Sequence, residues 1–196
     1  MLVLASGSPR RSEILRQAGI PFTVRPASVD EAILPGEAPD AYVRRLAEAK
    51  ARAATAKVNE TVLGADTTVV VSGEILGKPA NAEDARRMLA LLSGRRHEVL
   101  TGICLRRGAE TVCDHAVTAV WFARLSANEL EEYVASQEPM DKAGAYAIQG
   151  LASRYVERIE GCYFNVVGLP VSLVYRRLTE KKWGGECLKP VDSGCG

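Results

Sequence analysis

Asp66 demands a chemical explanation from sequence alone. It stands in Gly64-Ala65-Asp66-Thr67, inside a run otherwise made of Val62, Leu63, Val69, Val70 and Val71. A buried carboxylate without a partner is costly, so Asp66 requires a cation, a donor network or a cleft. A salt-bridged core aspartate would satisfy this; so would a catalytic or metal-binding carboxylate, the kind that collects at functional sites. Asp30-Glu31, in a proline-rich stretch, could add a second carboxylate, since Mg²⁺ in phosphoryl chemistry commonly takes one or two.

Cations with matching chemistry lie nearby in type, though not in sequence. In Ser6-Gly7-Ser8-Pro9-Arg10-Arg11 a strand gives way to a helix. Glycine there allows close approach, first-turn N–H groups face outward, and two arginines stand beside them. This is phosphate-binding logic without the Walker lysine arrangement. Lys78, in Gly77-Lys78-Pro79, has its stem fixed by proline; Lys50 borders a helical apolar stripe. Each taken singly reads more readily as a surface lysine. Asp141–Gly150 sets small residues around Tyr146, followed by Gln149, whose amide can donate and accept. That segment suits either a base-reading loop or a tight connection packed by Tyr146 and Ile148. His97 and His115 lack the spacing of a metal pair and accompany no nucleophile pattern.

The elements that must position these residues are mixed. Leu2–Ala5 reads as a strand, Pro9–Ala18 as a helix capped by Ser8 and ended by Gly19, and Phe22–Arg25 as a strand. A loop with Pro26, Pro35 and Pro39 leads to a helix over 38–56, with Tyr42, Leu46, Ala49 and Ala53 inward. Lys50 lies about 40° round that helix from Leu46. Thr61–Val71 and Glu74–Leu76 are strands, Asn81–Leu92 a helix, and His97–Leu105 and Thr111–Phe122 strands. Ser126 caps a helix to Ala135, and 139–153 reads as loop. Tyr155–Ile159 and Tyr163–Val167 read as a hairpin, and Pro170–Leu178 as the last helix. One catalytic domain over 1–180 is expected, followed by a frayed tail over 181–196.

Composition narrows the class. With 196 residues, 47% of them hydrophobic, the chain can bury one substantial core or two small lobes. Lys+Arg at 25 against Asp+Glu at 24 leaves a formal charge of +1, too little for a duplex-binding field. No nucleic-acid partner is expected, and phosphate binding must be local. The start lacks a basic signal-type region, and no apolar stretch approaches a membrane span, so a cytoplasmic location is expected. The five cysteines show neither a C-x-x-C pair nor zinc-finger spacing and read as free structural thiols.

Taken together, Ser6–Arg11, Leu46-Ala47 with Lys50-Ala51, Gly64–Thr67, Gly77-Lys78-Pro79, Leu92-Ser93-Gly94, and Gly161-Cys162-Tyr163 through Gly168-Leu169-Pro170 closely resemble the Maf proteins, in order and spacing from Leu2 to about Leu178. The resemblance implies an α/β, two-lobed mixed-sheet fold like that of inosine-triphosphate pyrophosphatases, with the nucleotide in the cleft between the lobes, and a homodimer. It implies hydrolysis of a nucleoside triphosphate to monophosphate and pyrophosphate with Mg²⁺ or Mn²⁺. By carry-over Asp66 is the proton acceptor, and Asp66 with Glu31 holds the metal. Ser6, Arg10, Arg11, Lys50 and Lys78 surround the triphosphate, while Arg11, Thr67 and Gln149 match positions associated with substrate choice. The segment Asp141–Gly150 looks like that of enzymes acting on dTTP and UTP, unlike the 7-methyl-GTP group. A rival reading is a non-enzymatic nucleotide-binding regulator, because Maf proteins are also linked to arrest of septum formation. Against it, a pure triphosphate binder gains nothing from an unmetallated carboxylate facing phosphates.

Overall fold

The computed structural model describes residues 1–183. Seven strands form one sheet, in the order β2-β1-β3-β5-β6-β7, with β4 pairing a further stretch of β3. In chain order the elements are β1 (Leu2–Leu4), α1 (Pro9–Gln17), β2 (Phe22–Val24), α2 (Pro39–Ala53), β3 (Thr61–Val71), β4 (Glu74–Leu76), α3 (Ala82–Leu92), β5 (Arg96–Arg107), β6 (Glu110–Phe122), α4 (Ala127–Ala135), β7 (Val156–Glu160), α5 (Tyr163–Val167) and α6 (Val171–Glu180). Three short 3₁₀ turns lie between α4 and β7. The sheet is mixed: β1 runs parallel to β2 and β3, and the remaining pairs are antiparallel. No helix among the described residues is long and apolar enough to cross a membrane.

β3 organises the molecule because its β-branched run is long enough to serve two neighbours on one edge. Val62 and Leu63 lie beside Val3 and Leu4 of β1, while Val69–Val71 pair with Glu74–Leu76 of β4. Between them the edge of β3 around Asp66 and Thr67 is left open. Side chains alternate along a strand. Leu63 and Ala65 therefore share a face with Val69 and Val71, yet the two pairs join different apolar clusters. The first pair packs with Ile14 and Leu15 of α1 and Leu173 and Val174 of α6; the second with Met88 and Leu89 of α3, Tyr133 and Tyr155. These clusters are the cores of the two lobes. On the opposite face α2 lies across both, with Ala47 and Ala51 against Val62 and Tyr42 and Leu46 against Leu100.

Two glycines let α2 come so close. A Cβ on Gly64 would stand 2.0 Å from the Ala47 carbonyl oxygen, and one on Gly102 2.2 Å from that of Val43.

Three expectations change. The buried stripe of α2 is Tyr42, Val43, Leu46, Ala47, Lys50 and Ala51, with Ala53 exposed. In an alanine-rich helix several phases of the pattern fit equally well, and the glycine contacts select this one; Lys50 lies within the stripe, not at its border. Tyr163–Val167 is a helix, α5, despite its β-branched and aromatic composition. Buried Asn165 donates from Nδ2 to Val99 O and Thr118 Oγ1, both at 2.9 Å, and Gly168 ends the helix at φ +125°, so tertiary bonds override local propensity. Third, the frayed tail does not begin at 181. Trp183 is buried in the α1/α6 cluster, and its N–H donates to Leu178 O at 2.9 Å. The rest of that expectation lies outside the described residues.

Candidate active site

The open edge of β3 floors a cavity of about 580 Å³, lined by all nine residues singled out from the sequence: Ser6, Arg10, Arg11, Glu31, Lys50, Asp66, Thr67, Lys78 and Gln149. Their roles differ in ways that spacing could not show.

Asp66 faces α2, and Lys50 Nζ donates to its Oδ1 at 2.6 Å. The same ammonium lies 2.6 Å from Glu31 Oε1. Lys50 and Asp66 are buried, whereas the Glu31 side chain is half exposed. Glu31 comes from the irregular segment between β2 and α2, and two bonds explain why it reaches the site. Tyr42 Oη donates to Glu31 O at 3.0 Å, and Arg45 clamps Glu37 and Ala32 O. Burial raises the Asp66 carboxyl above its ordinary range, against the pull of Lys50 and Arg11. For Glu31 burial acts in the same upward direction, but the Lys50 hydrogen bond and the charges of Lys50, Lys78 and Arg11 together bring it below the usual carboxylate value. The Tyr42 phenol is pushed up to about 12, first by burial and then by both carboxylates.

Arg11 is half-buried and spoken for. Its Nε donates to Gly168 O at 2.8 Å, one terminal nitrogen to Ser6 Oγ (3.0 Å) and Ala65 O (2.9 Å), and the other to Thr67 Oγ1 (3.0 Å). It thus ties the β1–α1 turn to β3 and to the end of α5. Thr101 extends the chain, lying 3.0 Å from Thr67 Oγ1 and donating to Asn165 O at 3.1 Å. Arg10 and Lys78, by contrast, make no hydrogen bond or ion pair to any side chain among the described residues, and both line the cavity. Ser8 occupies the N-cap of α1 as expected, but its hydroxyl makes no cap bond. First-turn N–H groups beside the cavity are thereby left to an incoming acceptor.

The far wall is the segment 141–149. Gly144 N–H donates to Gly77 O at 2.9 Å and packs against Val69, at φ +66°, which joins this segment to the turn bearing Lys78. Gln149 is exposed at the rim. His97 stands behind the wall, its Nε2 2.8 Å from Tyr146 Oη. Burial lowers it to about 4, so it is neutral and structural, as its sequence context suggested. Sequence reading missed Gly102, the tether from Tyr42, and Lys142, a cavity cation paired with Asp141. A glycine inside a strand, between the β-branched Thr101 and Ile103, was the available signal for the first.

Five cationic side chains (Arg10, Arg11, Lys50, Lys78, Lys142) face three carboxylates (Glu31, Asp66, Asp141) in this cavity, so it is net positive and suited to a polyanion. Among the described residues no group of three or more metal-ligating side chains converges. Two carboxylates do converge, on a single ammonium. That donor set fits a Mg²⁺-type ion that shares its coordination with phosphate oxygens, and does not fit an all-protein cage.

The chain is similar to named proteins over most of its length. The chain is 57% identical over 175 residues to a protein of Anaeromyxobacter dehalogenans (strain 2CP-C) named dTTP/UTP pyrophosphatase, covering 87% of this chain and 89% of that one. Proteins of the same name from Koribacter versatilis (52% identity, 90% and 92% covered) and Pseudoalteromonas atlantica (47% identity, 95% and 100% covered) align comparably. The structure of a HAM1 protein from Coxiella burnetii superposes with a TM-score of 0.52 at 19% identity, covering 91% of this chain and 98% of that one; this bears on fold alone and agrees with the mixed α/β architecture. The model of the family described as Maf-like protein matches residues 1–181, a span that includes both lobes and every residue of the cavity described above, and the chain therefore belongs to the Maf family.

Proposed function

We propose that this chain hydrolyses dTTP and UTP to the nucleoside monophosphate and pyrophosphate. The observation that carries the reading is the Glu31–Lys50–Asp66 cluster at the floor of a net positive cavity, with Arg10 and Lys78 uncommitted beside it. The names of the relatives support dTTP and UTP over 7-methyl-GTP.

In this reading water attacks the α-phosphorus, Asp66 accepts its proton, and the bond to the bridging oxygen breaks to release pyrophosphate. A carboxylate with a raised proton affinity is better matched to that task than a solvated one. Arg10, Lys78 and the first-turn N–H groups of α1 are placed for charge on the triphosphate, and donors fixed in advance stabilise it most. Arg11, already saturated, positions Ser6 and Thr67. Glu31 and Asp66 would hold Mg²⁺ or Mn²⁺, which when bound supplies Lewis-acid polarisation of phosphate oxygens. Cytoplasmic location and a homodimer belong to the same proposal, carried over from the family.

Pyrophosphate release from a panel of nucleoside triphosphates tests the reading. dTTP and UTP are expected to exceed CTP, ATP and GTP in kcat/KM. Uracil and thymine offer an N3–H between two carbonyls, whereas cytosine replaces one carbonyl by an amino donor, leaving groups in the site unpaired. Gln149→Ala should then narrow the UTP/CTP gap by weakening UTP; an unchanged ratio means that Gln149 does not read the base.

Metal dependence gives a second expected outcome. Activity should vanish in chelator and return with Mg²⁺ or Mn²⁺ but not with Ca²⁺, whose longer and looser coordination suits in-line attack poorly. Full turnover in chelator would exclude the assignment of Glu31 and Asp66 to a metal.

A further inference from the structure

Two of the cysteines that read as free structural thiols meet in the sheet, outside the lining of the cavity described above. Cys104 of β5 and Cys113 of β6 are directly opposed in register. The hairpin that joins these strands turns through only Gly108 and Ala109, with Gly108 at φ +59° and Arg107 opposite Glu110. A two-residue turn of this kind closes on a hydrogen-bonded pair. At the other end of the ladder Phe122 N–H donates to Arg95 O at 3.1 Å, which fixes the same phase.

Hydrogen-bonded and non-hydrogen-bonded pairs alternate along antiparallel strands. Cys104–Cys113, three steps in from Arg107–Glu110, is therefore a non-hydrogen-bonded pair. Opposed Cα atoms in such pairs lie about 4.5 Å apart with side chains drawn together, inside the range of about 4.4–6.8 Å that a disulfide spans. The two thiols can be joined without moving the backbone out of register.

Their surroundings differ. Cys104 is fully buried under Ala47 and Ala51 of α2, whereas Cys113 is only partly covered. Cys113 is thus the thiol that a solute can reach. A hydrogen bond from Cys104 holds the Cys113 thiol below its ordinary range, while the same contact and burial raise Cys104. The accessible sulfur is also the more readily ionised.

We propose that Cys104 and Cys113 form a dithiol–disulfide site that reacts with low-molecular-weight disulfides of the glutathione type. The Cys113 thiolate attacks one sulfur of the small disulfide, forming a mixed disulfide and expelling one thiolate. Cys104 Sγ, losing its proton to that thiolate, then attacks Cys113 Sγ and expels the second. Two protein thiols are oxidised and one small disulfide is reduced to two thiols, so electrons and protons balance. The bridge ties the β5–β6 hairpin together at its outer end, under the C-terminal half of α2.

The test is to equilibrate the full chain with glutathione disulfide, alkylate the remaining thiols, and digest without reduction for mass spectrometry. Expected is a linked peptide pair joining Cys104 to Cys113, with alkylation lost at both positions together and restored by dithiothreitol. Cys113→Ser should abolish any reaction at Cys104. Cys104→Ala should stop at a mixed disulfide on Cys113, which captures the first step. The proposal is overturned if the wild-type chain rests at that mixed disulfide with Cys104 still alkylatable. Equally decisive against it would be both cysteines remaining free while Cys162 is modified. Because the wild-type and Cys113→Ser results decide the matter, a poorly folding Cys104→Ala variant would not rescue it.

Discussion

Asp66→Asn is expected to lower kcat by about 10² to 10⁴-fold, the contribution of a positioned proton acceptor, while the protein stays folded. Asparagine fills the same space and its carbonyl still accepts from Lys50, but it neither takes a proton nor offers a charged metal ligand. The stability effect separates this from a structural role. Burial raises the Asp66 carboxyl above its ordinary value in the folded state, so folding favours the protonated acid. The resulting penalty on the fold is absent at pH well below the unfolded value and fully present once pH exceeds the raised folded value. Asparagine removes it, so at neutral pH the Tm should hold or rise as activity disappears. In the wild type the acid limb of kcat/KM should lie above the range of a solvated aspartate, about 3.9, and the residual activity of the variant should lack that limb. A folded variant with near-normal turnover would refute the assignment of Asp66.

Gly64→Ala is expected to cause a large loss of stability for the addition of a single methyl group. The added Cβ meets Ala47 O at 2.0 Å and Ala51 N at 2.7 Å, both backbone atoms of α2, so no side chain can turn aside. α2 must lift from β3, and Lys50 moves away from Asp66 with it. Overpacking costs roughly 1–3 kcal/mol or more, which for a chain of this size lowers Tm by about 2–12 °C, and activity should fall in parallel. Gly77→Ala is the control for stability, since nothing lies within 4 Å of its added Cβ. Equal Tm values for the two variants would show that α2 does not depend on the glycine.

What the sequence made legible follows from where local signals agree with tertiary ones. The β-branched run Thr61–Val71 became a strand with those bounds. Asn81 caps α3 by accepting from Asp84 N–H, and Ser126 with Glu129 forms the capping box of α4. The site residues were legible as an ordered set, and all reach one cavity. Their division of labour was not: Arg10 and Arg11 are adjacent and alike, yet the turn into α1 leaves one on the cavity wall without a side-chain partner among the described residues and sends the other among four acceptors. Nor could spacing show that Glu31, in an irregular segment, is held by Tyr42 and Arg45 from the next helix. α5 was misread because Tyr163, Phe164, Val166 and Val167 favour a strand locally, and only the buried bonds of Asn165 decide otherwise.

β3 contributes Val62, Leu63, Ala65, Val69, Val70 and Val71 to all four apolar clusters. A strand shared in this way leaves the molecule without a seam. Neither lobe can be excised as an autonomous piece, because each cut that frees one removes part of the other's interior. Fragments divided at the β5–β6 turn would have to complement one another to fold at all. The β3 amides turned toward β5 accordingly belong to the class that exchanges with solvent only when the whole molecule opens, whereas those at the open edge beside Thr67 do not.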